Sequence, residues 1–373
     1  MRDGLIHTGF SLFATEAQRL AALPLLEAGV VDAIEWTLDH GWGQTLPAWV
    51  TALLDAYAAE GRLYGHGVHY SPCSLRADAT GWLARAAAEV GARRYRHVTE
   101  HWGCSRAGVL ARGAPMPVPA CEAAVEHTVS SLAALAEAVT VPVGLENLAL
   151  AFGPADVDAQ PVMLARVLDA IDGVLLLDLH NLWCQAVNYG RDVHALAARY
   201  PLARVRQLHV AGGSWSASAI GGPFRRDTHD ALVPDEVMQL VAWIIPRCPA
   251  LECVILERLP DTFPDEPARE AWRTQWLALA AIVEQAARAP MIATPPPPWC
   301  ALDPRPSLAD LGRYQDALAG VVRATSNARD VHAALLAHPE VAPFRDHVAG
   351  FELRALEVAI ALANKWGIVH PDP

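Results

Sequence analysis

Residues 174–181, VLLLDLHN, run four apolar side chains into Asp178, His180 and Asn181. An unbroken apolar run suits a strand of a parallel sheet covered on both faces. Ending it in a carboxylate, an imidazole and an amide is costly unless those groups serve a site. The pattern recurs along the chain. Glu35 lies in the apolar stretch 30–36, His66 and His69 in 63–69, Glu100 and His101 at the end of 94–101, and Glu146 and Asn147 at the end of 141–147. His209 lies near the end of 204–211, Asp227 and His229 follow in a loop, and Glu257 closes 252–257. Asp178 and His180 are two apart, as are Asp227 and His229, so in extended chain each pair would face one way. Gathered at one place, these carboxylates and imidazoles would repel or bury unpaired charge unless a cation sat among them. Imidazole nitrogen and carboxylate oxygen suit zinc, iron, manganese or cobalt. A mononuclear catalytic site commonly takes three protein ligands. So many candidates point instead to a cluster of two or three ions.

Something must bring these residues together. Apolar, strand-like segments are expected at 5–10, 30–36, 63–69, 94–100, 141–147, 173–179, 204–211 and 252–257. Ala- and Leu-rich segments with helical spacing alternate with them, at 16–28, 46–60, 79–91, 121–138, 160–171, 191–199, 234–247 and 267–288. Strand followed by helix, eight times, predicts a (β/α)8 TIM barrel over 1–289. All the strand ends carrying candidate ligands then meet at one face. An open doubly wound sheet is the alternative, weakened by the lack of a GxGxxG turn after an early strand. Four consecutive prolines, Pro295 to Pro298, mark 290–303 as a stiff linker. Residues 304–373 read as a small α-helical appendage with helices at 307–323, 328–337 and 341–366. Ser307 with Asp310 three residues on is a helix-capping arrangement.

The formal net charge of −12 argues against a nucleic-acid or anionic membrane partner. No apolar run is long enough to span a bilayer, and the N-terminus reads as lacking a signal peptide. Seven scattered cysteines without a CxxC suit a reduced, cytoplasmic protein. Glu35 is close to an ordinary strand-end residue. His69 and Glu100 are weaker candidates than His66 and His101, because neighbours in a strand point to opposite faces. Cys184 reads as a small buried hydrophobe. The Gly-rich stretch 211–227 reads as a lid, and its Arg225 and Arg226 would hold a substrate carboxylate or stand solvated.

Several stretches together resemble the DUF692 family of multinuclear non-heme iron-dependent oxidative enzymes. They are HGV (66–68), TEHWGCS (99–105), LENLAL (145–150), LLLDLHNLWCQAVNYG (175–190), QLHVAGG (207–213), DTHD (227–230) and ILE (255–257). The resemblance covers roughly residues 1–285. It implies a TIM barrel with two or three irons, mixed Fe(II) and Fe(III), and dioxygen as co-substrate. The implied substrate is a ribosomally synthesised precursor peptide, modified oxidatively and often at cysteine. A small partner protein presents the peptide to many members, and the helical appendage would be a fused equivalent or a dimerisation element. Carried over by motif, the implied metal ligands are His66, His101, Glu146, Asp178, His180, His209, Asp227, His229 and Glu257. Asn147 and Asn181 would be supporting or additional ligands. Many relatives carry Asp-x-Asn-Asn where this chain has Asp178, His180 and Asn181, which leaves open whether His180 or Asn181 faces a metal.

The expected chemistry follows. A peptide cysteine binds the cluster as thiolate, and dioxygen oxidises it beginning at Cβ. No cysteine of the chain occupies a ligand position, so none competes for the thiolate site. A sugar isomerase or epimerase on the same barrel usually needs a proton-transferring lysine, and the only lysine here is Lys365, in the appendage. An endonuclease IV-like phosphodiesterase has a similar ligand set but is disfavoured by the acidic charge. A metal-stabilised scaffold without activity is the non-enzymatic alternative.

Overall fold

A computed structural model describes residues 5–75, 79–110, 115–218, 220–294 and 301–366. The four consecutive prolines of the linker, Cys300 and His370 lie outside the described residues. Ten strands follow in chain order: β1 (His7–Leu12), β2 (Ala33–Thr37), β3 (Leu63–His66), β4 (Tyr95–His101), β5 (Val143–Glu146), β6 (Val174–Asp178), β7 (Val205–Val210), β8 (Trp215–Ser216), β9 (Phe224–Arg225) and β10 (Cys253–Leu256). Eight of them close into a parallel barrel in the order β1-β10-β7-β6-β5-β4-β3-β2. β8 and β9 form a separate antiparallel hairpin in the loop after β7.

The register explains why the strand ends converge. His101 pairs with Glu146, Asp178 with His209, and Thr37 with His66. Donors far apart in sequence therefore stand at one level of the barrel. Close strand packing demands small residues in places. A Cβ at Gly144 would lie 2.0 Å from the Val174 carbonyl oxygen, so β5 can approach β6 only with glycine there.

Below the donor level the interior is partly polar. His97 Nε2 lies 2.7 Å from Gln207 Oε1, and Gln207 Nε2 donates to Glu35. Tyr64, Cys253, Ala33 and Ile255 fill the space beside this column. Helices form the outer ring, and one apolar cluster runs from the barrel strands through to the C-terminal helices.

Those helices are Leu308–Ala324, Ala328–Ala337, Arg345–Ala349 and Leu353–Trp366. Ser307 and Asp310 form a reciprocal capping box at the first. The single helix expected over 341–366 is broken at Gly350–Glu352, where Glu352 N–H donates to the Phe152 carbonyl of the barrel. Phe351 packs on Phe152 with ring centroids 4.5 Å apart. Gln315 bridges the loop after β3, accepting from Leu75 N at 3.0 Å and donating to Cys73 O at 2.7 Å. Among the described residues, no helix is long and apolar enough to cross a membrane.

Two other expectations change. Strand β6 stops at Asp178, and a helix, Leu179–Asn188, starts at once. Asp178 is its N-cap, accepting from Asn181 N at 2.6 Å. Asp178 and His180 thus do not share a strand face: a carboxylate is a strong N-cap and ends the extended chain there. The helix expected at 160–171 spans Pro154–Ala170. Pro154 occupies the first turn, where the missing N–H costs nothing.

Candidate metal centre

Glu146, at the tip of β5, is the hub. Its Oε2 lies 3.2 Å from His66 Nε2 on β3 and 3.2 Å from His101 Nε2 on β4. Its Oε1 lies 3.4 Å from His209 Nδ1 on β7, which is 3.0 Å from Glu257 Oε2 just beyond β10. Two donor groups result: His66, His101 and Glu146, and then Glu146, Asp178, His209 and Glu257. Within each group the donor atoms all lie within 4.8 Å of one another. Glu146 belongs to both, as a carboxylate bridging two ions would.

A third group stands beside them. Asp227 Oδ1 lies 3.0 Å from His180 Nδ1, and its Oδ2 lies 2.8 Å from His229 Nε2. His229 Nε2 is also 3.7 Å from Glu257 Oε2, joining this group to the second. His229 takes a left-handed backbone, φ 52°, uncommon for a residue with a side chain. The loop is therefore bent rather than extended at this point, and the bend turns His229 back onto Asp227. A Cβ at Gly213 would lie 2.9 Å from His180 Cε1 and 2.2 Å from the Arg226 carbonyl oxygen. Only glycine lets the loop after β7 close over His180.

The electrostatics call for a cation. Glu35, Glu146, Asp178 and Glu257 are buried here, with Asp227 at their edge. Burial and the carboxylates of Asp227, Glu146 and Glu257 push Asp178 well above the usual range. Burial opposes ionisation of Glu146, yet the imidazoles of His101, His209 and His66 hold it well below that range. Burial disfavours charge on His209, but Glu257 and Glu35 raise it well above an ordinary imidazole. Opposite shifts on touching groups mean that the carboxylates and imidazoles titrate together rather than singly. Asp178 Oδ2 and Asn181 Oδ1 are buried without a hydrogen-bond partner, and Glu146 Oε2, His209 Nδ1 and Glu257 Oε2, though near other donors of the cluster, meet none in hydrogen-bond geometry. Buried polar atoms are nearly always satisfied. Orphans concentrated in a nitrogen and oxygen donor set fit metal ions.

The remaining sequence candidates separate. Asn181 Nδ2 is 3.5 Å from Glu146 Oε1, whereas His180 faces Asp227. Asn147 clamps backbone: Asp178 N donates to its Oδ1 at 2.7 Å and its Nδ2 donates to Asp178 O at 3.0 Å. His69 lies 3.3 Å from Asp39, away from the donor groups. Burial, then Asp39, push Glu100 well up. Cys184 is buried, its Sγ 3.8 Å from both His180 ring nitrogens. Arg226 donates to Ser216 Oγ at 3.2 Å, while the Arg225 side chain turns against Trp183 and Trp215.

Glu35 matters more than its sequence setting implied. Fully buried, its Oε2 is 2.7 Å from His209 Nε2, and its Oε1 accepts from Ser11 Oγ at 2.5 Å. With Nε2 held by Glu35, Nδ1 is the His209 nitrogen that would be left for a metal ion between Glu146 and Glu257. The available signal was parity: Ser11 pairs with Glu35 across β1 and β2, and both point inward.

Comparison with known proteins places the chain. The profile of "RiPP precursor modification enzyme MbnB/TglH/ChrH", enzymes acting on ribosomally made peptides, matches residues 42–269. A UPF0276 protein of Shewanella amazonensis is 32% identical over 126 residues, 34% of this chain and 44% of that protein. One from Bordetella pertussis is 31% identical over 150 residues, 40% of this chain and 52% of that protein. The chain thus spans about half the length of the curated relatives it matches. Endonuclease IV from Thermus thermophilus superposes with a TM-score of 0.48 at 16% identity, over 75% of this chain and 99% of that one. The profile covers well over half of the 373 residues and every donor described above. The chain belongs to DUF692, the MbnB/TglH/ChrH family of RiPP precursor modification enzymes.

Proposed function

We propose that this enzyme oxidatively modifies a ribosomally synthesised precursor peptide at cysteine, using two or three iron ions and dioxygen. The observation that supports it best is the shared carboxylate of Glu146 between two buried groups of nitrogen and oxygen donors with unsatisfied atoms. His66, His101 and Glu146 would hold one ion. Glu146, Asp178, His209 and Glu257 would hold a second, and Asp227 with His229 would complete that site or a third. Bound iron supplies one-electron chemistry, positions for a substrate thiolate and for oxygen, and a lowered thiol pKa.

The chain's own residues do the rest. Glu35 fixes the tautomer of His209 through the 2.7 Å contact to Nε2. His180 holds Asp227 against rotation by occupying Oδ1, leaving Oδ2 toward His229. Asn147 ties β5 to the end of β6 and so sets the distance between Glu146 and Asp178. Gly213, Asp227 and His229 of the loop after β7 lie against this side of the cluster and would limit water around the peptide. None of the donors is a cysteine, which leaves the soft-ligand position to the substrate.

Metal analysis with Mössbauer or EPR spectroscopy on anaerobically purified protein tests this reading. Two or three irons per chain are expected, with loss of turnover when the peptide cysteine is replaced by serine. Stoichiometric zinc without iron, in cells supplied with iron, would overturn it.

A further inference from the structure

Arg225 is the neighbouring group that the donor cluster does not use. It lies on β9, is 8% exposed, and its Nε is buried without a partner. Among the described residues its guanidinium forms no hydrogen bond or ion pair. What it has is aromatic: Cζ lies 4.8 Å from the centroid of Trp183 and 5.3 Å from that of Trp215. Indoles stabilise the cation but leave the in-plane N–H donors unspent. A nearly buried, permanently charged group with free donors is costly unless something else satisfies them.

Its position is held firmly. Asn188 grips the Arg225 backbone on both sides, Oδ1 accepting from Arg225 N at 2.7 Å and Nδ2 donating to Arg225 O at 2.9 Å. Arg354, from the last C-terminal helix, donates to the Asn188 carbonyl and lies 5.5 Å from the Phe224 ring. Such bracing before any ligand arrives is how a binding group avoids an ordering cost. The anchor also stands next to the chemistry. Trp183 is 5.9 Å from the His180 ring, and Asp227 follows Arg225 by two residues.

We infer that Arg225 binds a carboxylate of the peptide substrate, seated within a few residues of the one modified. This rests on the peptide-modifying reading above. A planar fork held by two aromatic rings matches a carboxylate, which accepts two parallel hydrogen bonds. On a peptide that carboxylate is either the C-terminal one or an Asp or Glu side chain. Arg226 turns one N–H to Ser216 instead of stacking on Trp183 and Trp215.

The test is binding, measured calorimetrically on the full-length, metal-loaded protein. The probes are three cysteine-free, serine-containing hexapeptides: one with a free C-terminal carboxylate, its C-terminal amide, and the same amide carrying a glutamate. One or both carboxylate peptides are expected to bind about 10- to 100-fold more tightly than the plain amide, the worth of a hydrogen bond to a charged group. Whichever gains names the source of the carboxylate. Arg225→Gln abolishes the gain, and Arg225→Lys retains part of it. Metal content and near-UV circular dichroism matching the parent show that both variants are folded. A preference that survives Arg225→Gln would overturn the anchor and leave the peptide reading standing. Equal binding of all three peptides would overturn the anchor, and no binding of any would count against both.

Discussion

Glu35→Gln removes one negative charge from beneath the donor cluster while keeping the side chain's size. Glu35 makes three polar contacts, to His209, Ser11 and Gln207. The amide can still accept from Ser11, and Gln207 can adjust, since its other partners are the imidazoles of His97 and His209. The irreplaceable contact is the 2.7 Å one to His209 Nε2. With a carboxylate there the proton stays on Nε2, and Nδ1 faces Glu146 and Glu257. With an amide the imidazole loses its charge-assisted partner and becomes a weaker ligand. A hydrogen bond of that kind is worth about 1.5–3 kcal/mol. That corresponds to a loss of about 10- to 100-fold in affinity for the ion held by His209, the range seen when such supporting partners are removed. The effect should be selective, because among the described residues neither His66 nor His101 hydrogen-bonds to Glu35. An anaerobic chelator titration with metal counting reads it out: one ion leaves at a lower chelator concentration, and the rest follow the parent curve. Equal counts and superimposable curves for Glu35→Gln and the parent would refute the role given to Glu35.

Glu146→Gln should cost more than any other single donor, because the residue belongs to both groups; metal analysis should show the loss of more than one ion per chain, against the loss of one in His101→Ala. Gly213→Ala forces a Cβ to within 2.2 Å of the Arg226 carbonyl oxygen and 2.9 Å of His180. It should cost about 1–3 kcal/mol by overpacking, read as a lower Tm, and should displace Asp227, read as weaker metal retention. Burial holds His97 down to about 4, below its usual 6.5. A histidine lowered in the folded state favours folding fully above the unfolded value and loses that contribution as pH falls through the window from 6.5 to about 4. The loss is of order 3 kcal/mol at most. His97→Gln should flatten the fall in denaturant midpoint over that window, and an unchanged slope would exclude His97 as its source.

The barrel was legible because each strand is an apolar run closed by polar residues and each helix is Ala- and Leu-rich. The donors were legible by one rule, that parallel strands of a closed barrel end at one face. Local spacing failed where a polar group did structural duty as well. Asp178 caps a helix, so the strand-like interval to His180 meant nothing, and the helix Leu179–Asn188 was hidden behind the motif. The helix expected from residue 160 starts at Pro154 and carries Pro161 inside it. Relations across long separations were out of reach. Glu35 meets His209 across 174 positions. Arg225 and Arg226 are adjacent and identical in type, yet one lies against Trp183 and Trp215 and the other donates to Ser216. Such pairings depend on register and loop path, which no local window contains.

Donor residues come from β3, β4, β5, β6 and β7, from the loop after β7, and from the residue after β10, and the ring closes only when β10 pairs with β1. The centre therefore has a place in time as well as in space. A ribosome must deliver residue 257 before the second group is complete, and His7 must wait for Cys253 before the wall behind it shuts. Contacts of such long range form late in folding. A half-made chain that ends before β6 carries His66, His101 and Glu146 but not the second group, which needs Asp178, His209 and Glu257. Loading of the second group would thus be a late step of maturation, one that waits for Glu257 at the end of the last strand.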